Sequence, residues 1–161
     1  MDKNKLSIAL ITSAYFIYYC LTYKEPHFIN SVNLPIHESG HIIFMFFGEF
    51  MHFLGGSLFQ VLFPCVFLFY VYKNKDYFSA SLLLFWVGQN LLDVSVYASD
   101  AIAMELPLLG GEHDWNTLLE MTNLLKYTKP IGTAIYMCGI SVILLAICLS
   151  IITSSQKNPS E

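Results

Sequence analysis

Apolar residues fill most of this chain in five long segments, which short polar stretches separate. The segments are too long and too continuous for half-buried strands, so the pattern favours helices. At about 1.5 Å of rise per residue, about 20 apolar residues cross the hydrocarbon part of a bilayer. The sequence therefore predicts an all-α, polytopic membrane bundle of about five hydrophobic helices. They cover residues 6–23, 36–54, 57–72, 77–98 and 130–152.

Glycine and proline give the expected boundaries of the second and third segments. Pro35 suits the first turn of a helix, where its missing N–H costs nothing. Gly55 and Gly56 predict a break between the two segments. Pro64 predicts a kink within the third segment. The first segment lacks a small-residue cleavage site, so we expect a retained helix and not a signal peptide.

The stretch 99–129 is the one long region of mixed polarity. Thr117 and Glu120 have the spacing of a capping box, and apolar residues after them share one helical face. This pattern predicts an amphipathic helix at the membrane interface, where Trp115 is also favoured.

Composition agrees with a single integral membrane domain over residues 1–161. Hydrophobic residues make up 55% of the chain and charged residues only 12%, against about 25% charged in soluble domains. Eight basic residues against twelve acidic ones offer no patch for nucleic-acid phosphates. The expected partners are therefore a lipid bilayer and no nucleic acid. The lysines do not favour either orientation, because they divide evenly between the two sides.

The motif that carries chemistry is His37-Glu38-Ser39-Gly40-His41, an HExxH sequence in the second segment. Histidines four residues apart lie on one face of a helix and can hold one zinc ion. Glu38 flanks that face and is a candidate general base for a zinc-bound water.

A catalytic zinc ion takes three protein ligands and keeps one open position. Asp93 is the favoured third ligand, because a carboxylate inside an apolar helix is costly unless a cation balances it. A structural polar network, formed with the stripe that includes Gln89 and Asn90, is the alternative. His113 and Asp114 are the reserve ligands, with His113 also a possible donor to substrate. His52 is excluded if it shares an unbroken helix with His41, about 16 Å away.

The stretch Asn33-Leu34-Pro35-Ile36-His37-Glu38-Ser39-Gly40-His41 resembles the HExGH helix of site-2 protease-type intramembrane zinc metalloproteases. Gln89-Asn90-Leu91-Leu92-Asp93 resembles the later core helix of that family. The resemblance covers residues 33–100 and implies a three-helix catalytic core without a PDZ domain. It implies that His37, His41 and Asp93 bind zinc, that Glu38 is the catalytic base and that Asn90 orients the substrate.

The sequence thus favours a zinc metalloendopeptidase that cleaves transmembrane or membrane-proximal proteins in or near the bilayer. One alternative is a zinc-dependent membrane hydrolase acting on lipid or another amide, because zinc chemistry does not fix the acyl group. The other is a non-catalytic membrane protein that holds zinc in a closed site. Two histidines and a carboxylate also suit non-haem iron.

Overall fold

The computed structural model describes residues 2–107 and 112–155, and within them the chain forms helices and no strand. The all-α prediction is therefore confirmed for this part of the chain. Two short 3-10 turns precede α3 and α6. The helices are α1 (Lys3–Leu21), α2 (Phe28–Phe44), α3 (Glu49–Lys73), α4 (Tyr77–Ser99), α5 (Asp114–Met121) and α6 (Thr128–Thr153).

The predicted break at Gly55 and Gly56 is wrong, because both glycines lie inside α3. The chain turns earlier, at Gly48, whose φ of 97° is in the left-handed region that glycine adopts without strain. Pro35 lies inside α2, which already begins at Phe28. Apolar residues lie on both sides of the turn at Gly48, so the apolar pattern alone did not predict this turn.

Helices α4 and α6 pack along each other, and α1 packs against both. Small residues allow the close approach of α4 and α6, since a Cβ on Gly139 would lie 3.1 Å from the Gly88 carbonyl oxygen. An apolar core forms between these three helices. It consists of Phe16, Tyr19, Phe85, Leu92, Ile143 and Ala146.

Three helices, α3, α4 and the segment that ends with α6, are long and apolar enough to cross a membrane. Five spans were predicted, and the described residues do not show them. The helix α2 has only 17 residues and carries asparagine, histidine and glutamate. The helix α1 begins with two lysines within its first three residues. Many large apolar side chains face outward, as expected for a surface in contact with lipid.

Two contacts place the elements that carry the candidate site. The helices α2 and α3 approach closely, because a Cβ on Gly55 would lie 2.7 Å from the Gly40 carbonyl oxygen. The short helix α5 lies against α3, where Trp115 Nε1 donates to Ser57 Oγ at 3.0 Å. The amphipathic helix thus exists, but it begins three residues before the predicted capping box, and the His113 side chain caps it.

Candidate metal centre

The two histidines of the HExxH motif meet one carboxylate oxygen. His37 Nε2 lies 3.0 Å and His41 Nε2 lies 3.2 Å from Asp114 Oδ2. One ligand atom from each residue lies within 4.8 Å of the other two. Ligands at about 2.1 Å from a tetrahedral ion are about 3.4 Å apart, so the three groups are spaced to hold a metal ion after a small adjustment.

The other nitrogen of each imidazole is already engaged. His37 Nδ1 lies 3.1 Å from Gln60 Oε1, and His41 Nδ1 lies 2.8 Å from the His52 carbonyl oxygen. Each Nδ1–H therefore has an acceptor, which leaves Nε2 of a neutral ring as the ligand atom. This pairing of Nδ1–H with a protein acceptor is the usual arrangement around metal-binding histidines.

The charges of the three groups also suit a cation. A divalent cation binds two neutral imidazoles and one carboxylate, and these are the groups that meet here.

Asp114 is suited to this position because it is ionised at neutral pH. Burial by itself would raise the pKa of its carboxyl group, but the neighbouring His37 and His41 imidazoles outweigh the burial and lower the pKa to about 2. The Tyr97 hydroxyl donates to the same carboxylate, with its oxygen 3.2 Å from Asp114 Oδ2. The same hydroxyl accepts from the Asp114 backbone N–H at 3.1 Å.

Gly56 leaves the room that a metal ion needs. A Cβ at this position would lie 2.5 Å from His37 Nε2 and 2.6 Å from His41 Nε2. Any larger residue would therefore displace the two nitrogens that face Asp114. The glycine that was expected to end a helix instead keeps one face of α3 open beside the site.

A cavity of about 740 Å³ opens onto the three groups. Its walls include His37, His41 and Asp114, and Glu38 also lines it. Apolar residues, among them Leu34 and Phe53, form other parts of the wall. A ligand in this cavity has access to both the metal-binding group and the Glu38 carboxylate.

The structure brings Asp114 together with the two histidines of the motif, whereas the sequence analysis favoured Asp93 as their partner. Among the described residues, the one group of three metal-binding side chains that lie close enough contains Asp114 and not Asp93. The Asp93 carboxylate instead accepts from Asn30 Nδ2 at 2.6 Å and from Gln60 Nε2 at 2.8 Å. Amide groups thus donate to both oxygens of this carboxylate, as they would in the polar network that the sequence analysis gave as the alternative.

Asp93 lines the cavity, whereas Asn90 and His113 are not among the lining residues. Asn90 is fully buried, and its Oδ1 accepts from Gln60 Nε2 at 3.1 Å, so it lies among the helices and not where substrate would bind. His113 caps α5 by accepting from the Asn116 N–H at 3.2 Å. It is a structural neighbour of the site and not one of its three close ligands.

Sequence reasoning held Asp114 only in reserve and passed over Gln60. Asp114 follows His113 directly, so its position beside a candidate histidine was the one available signal. His52 was excluded on the premise of an unbroken helix, and that premise is wrong because α2 ends before it. His52 contributes to the site through its backbone carbonyl oxygen, which accepts from His41 Nδ1. No sequence motif identifies an acceptor of this kind.

Comparisons of the chain with protein-family models, with curated proteins and with solved structures found no match. The geometry of the site is therefore the basis for any functional conclusion.

Proposed function

We propose that this chain is a zinc-dependent peptidase that cleaves proteins within or beside the lipid bilayer. The observation that carries the proposal is the convergence of His37 Nε2 and His41 Nε2 on Asp114 Oδ2, at 3.0 and 3.2 Å. The resemblance of the HExxH helix to site-2 protease-type enzymes supports the same conclusion. Non-haem iron fits the same donor types, so metal content is the first measurement.

An open site supports a catalytic role over a purely structural one. Structural zinc sites are closed by four protein ligands, whereas catalytic sites have three and leave a position for water or substrate. Three candidate ligands are present here, and a cavity of about 740 Å³ adjoins them.

The residues of the chain divide the work of hydrolysis between them. Zinc held by His37, His41 and Asp114 would acidify a bound water and polarise the carbonyl group of the scissile bond. Glu38 lines the same cavity, takes the proton of the attacking water and returns it to the leaving amine. A helical substrate must unwind locally first, because its backbone hydrogen bonds hide the peptide carbonyl groups.

Metal binding is tested on the purified protein in detergent by elemental analysis and by competition with a chromophoric chelator. We expect about one zinc ion per chain and a large loss of affinity in Asp114→Asn. Asp76→Asn is the matched control, because Asp76 caps α4, where asparagine is an equally good cap. A wild-type chain that holds no divalent metal would refute the proposal.

Glu38→Gln separates catalysis from metal binding. The variant should retain zinc and lose about 10²–10⁴-fold in cleavage rate, since it keeps the shape of the side chain but not its basicity. The assay uses a panel of transmembrane peptides in liposomes, with an N-acyl amide lipid as the rival substrate. Glu49→Gln is the control, at an exposed position on α3 outside the cavity. Cleavage of the lipid alone would support the amidase alternative, and undiminished proteolysis by Glu38→Gln would contradict the assignment of the base.

A further inference from the structure

The Gln60 side chain connects the candidate metal centre to a buried carboxylate. Its Oε1 accepts from His37 Nδ1–H at 3.1 Å, while its Nε2 donates to Asp93 Oδ2 at 2.8 Å and to Asn90 Oδ1 at 3.1 Å. Gln60 is only 4% exposed. The connection therefore runs from His37 on α2, through Gln60 on α3, to Asp93 and Asn90 on α4.

The Asp93 carboxylate on α4 fixes which way the Gln60 amide points. An ionised carboxylate presents only acceptor oxygens, so the Gln60 NH₂ group faces Asp93 and the Gln60 carbonyl oxygen faces His37. The opposite orientation would set the Gln60 oxygen against a carboxylate. Asp93 thus determines, through one intervening amide, that His37 meets an acceptor.

Neighbouring amides hold the Asp93 carboxylate in place. Asn30 Nδ2 donates to its Oδ1 at 2.6 Å, and the Asn30 side-chain oxygen accepts from the His27 N–H at 3.0 Å. Asn33 Nδ2 lies 3.5 Å from Asp93 Oδ2, and its oxygen accepts from Trp86 Nε1 at 3.0 Å. The side-chain amides of Asn30 and Asn33 are therefore each oriented by a hydrogen bond to a partner other than Asp93.

We infer that Asp93 is a positioning residue, which acts through Gln60 to hold the His37 ring with Nε2 free to bind metal. This inference rests on the proposed function, since it assigns a role toward the same metal. It differs from the role that the family resemblance implies for Asp93, which is direct ligation. Outer groups of this kind commonly alter metal affinity by about 10- to 100-fold.

The test compares Gln60→Met with a control that removes a buried polar group elsewhere in the bundle. Gln60→Met leaves His37 Nδ1–H without its acceptor, and zinc affinity should fall about 10- to 100-fold. Ser150→Ala is the control, because Ser150 is fully buried and its hydroxyl donates to the Ile147 carbonyl oxygen on α6, away from Gln60 and Asp93. Both variants should lose thermal stability, while only the first should lose zinc affinity and shift the visible spectrum of the Co²⁺-loaded protein.

A double-mutant cycle distinguishes action through Gln60 from direct ligation. Asp93→Asn should weaken zinc binding less than Asp114→Asn does, and it should add nothing in a Gln60→Met background, because residues that act through one connection are not additive. If Asp93→Asn abolishes zinc binding in both backgrounds, Asp93 is a ligand and the inference is wrong.

Two further outcomes are separable. A wild-type chain without metal refutes the proposed function itself. Wild-type protein that binds zinc, with Gln60→Met at the same affinity, overturns only the inference. If Gln60→Met does not fold, Asp93→Asn alone decides, since unchanged affinity or complete loss would each contradict a positioning role.

Discussion

At the scale of single residues, the candidate centre depends on which nitrogen of each imidazole is left free to bind a metal ion. Two imidazoles have Nδ1 bonded to an oxygen acceptor and Nε2 directed at Asp114. Glycine at position 56 leaves space beside those two nitrogens. The space at Gly56 is therefore as much a part of the candidate site as the three side chains.

Gly56→Ala tests this use of space. We expect zinc binding to be lost or greatly weakened, because the new Cβ would lie 2.5 Å from His37 Nε2 and 2.6 Å from His41 Nε2. Chelator competition measures the affinity, and circular dichroism checks that the helices persist.

Gly139→Ala serves as its control. Its Cβ would lie 2.9 Å from Leu92 Cδ2, at the contact of α4 with α6. That variant should melt at a lower temperature through overpacking, yet bind zinc as the wild type does. Wild-type zinc affinity in Gly56→Ala would show that the site is not where we place it.

At the scale of elements, the position of Asp114, the candidate third ligand, depends on how α5 is held. Asp114 is the first residue of this eight-residue helix, which is too short to be stable alone. Its indole contact with α3, from Trp115 to Ser57, is one of the contacts that fix its position.

Trp115→Phe removes that hydrogen bond while it keeps most of the apolar ring. A hydrogen bond contributes about 0.5–1.5 kcal/mol net, so zinc affinity should fall about 2- to 10-fold if the bond helps to hold Asp114. Ser57→Ala removes the same bond from the other side and should give a similar loss. Combining the two should cost little more than either alone, and clearly additive losses would count against this role for the bond.

At the scale of the whole molecule, one contact bears on how many times the chain crosses a membrane. The Asp2 N–H donates to the Ser154 carbonyl oxygen at 3.2 Å, so the start of α1 meets the end of α6. Five complete spans would place these two residues on opposite sides of a membrane. We therefore expect an even number of crossings between them.

Epitope tags at the two ends of the chain test this topology in sealed vesicles. Both tags should be accessible from the same side, since residues 2 and 154 are in contact. A tag inserted at Asn123, in the exposed turn after α5, should be accessible from the other side of the membrane. We expect this because α4 runs from the side that carries the two chain ends to the side that carries Asn123. End tags on opposite sides would favour five spans.

Local sequence patterns predicted the parts that depend on neighbours along the chain. Helical class follows from long apolar runs, and the shared face of His37 and His41 follows from their spacing of four residues. The turn at Gly48 was missed, because apolar residues continue on both sides of it. Asp93 was favoured because an acidic residue inside an apolar segment needs a partner, and that need was met by amides.

The sequence by itself determined that the chain is helical and that two imidazoles lie together, because a helix turn relates residues four apart wherever the helix lies. Only the tertiary structure decided which carboxylate joins them. Asp114 is 77 positions from His37, and it reaches the site because α5 lies on α3. Gln60 likewise satisfies Asp93 only once α3 and α4 are packed. Contacts between distant segments depend on packing across the whole bundle, and no local pattern encodes them.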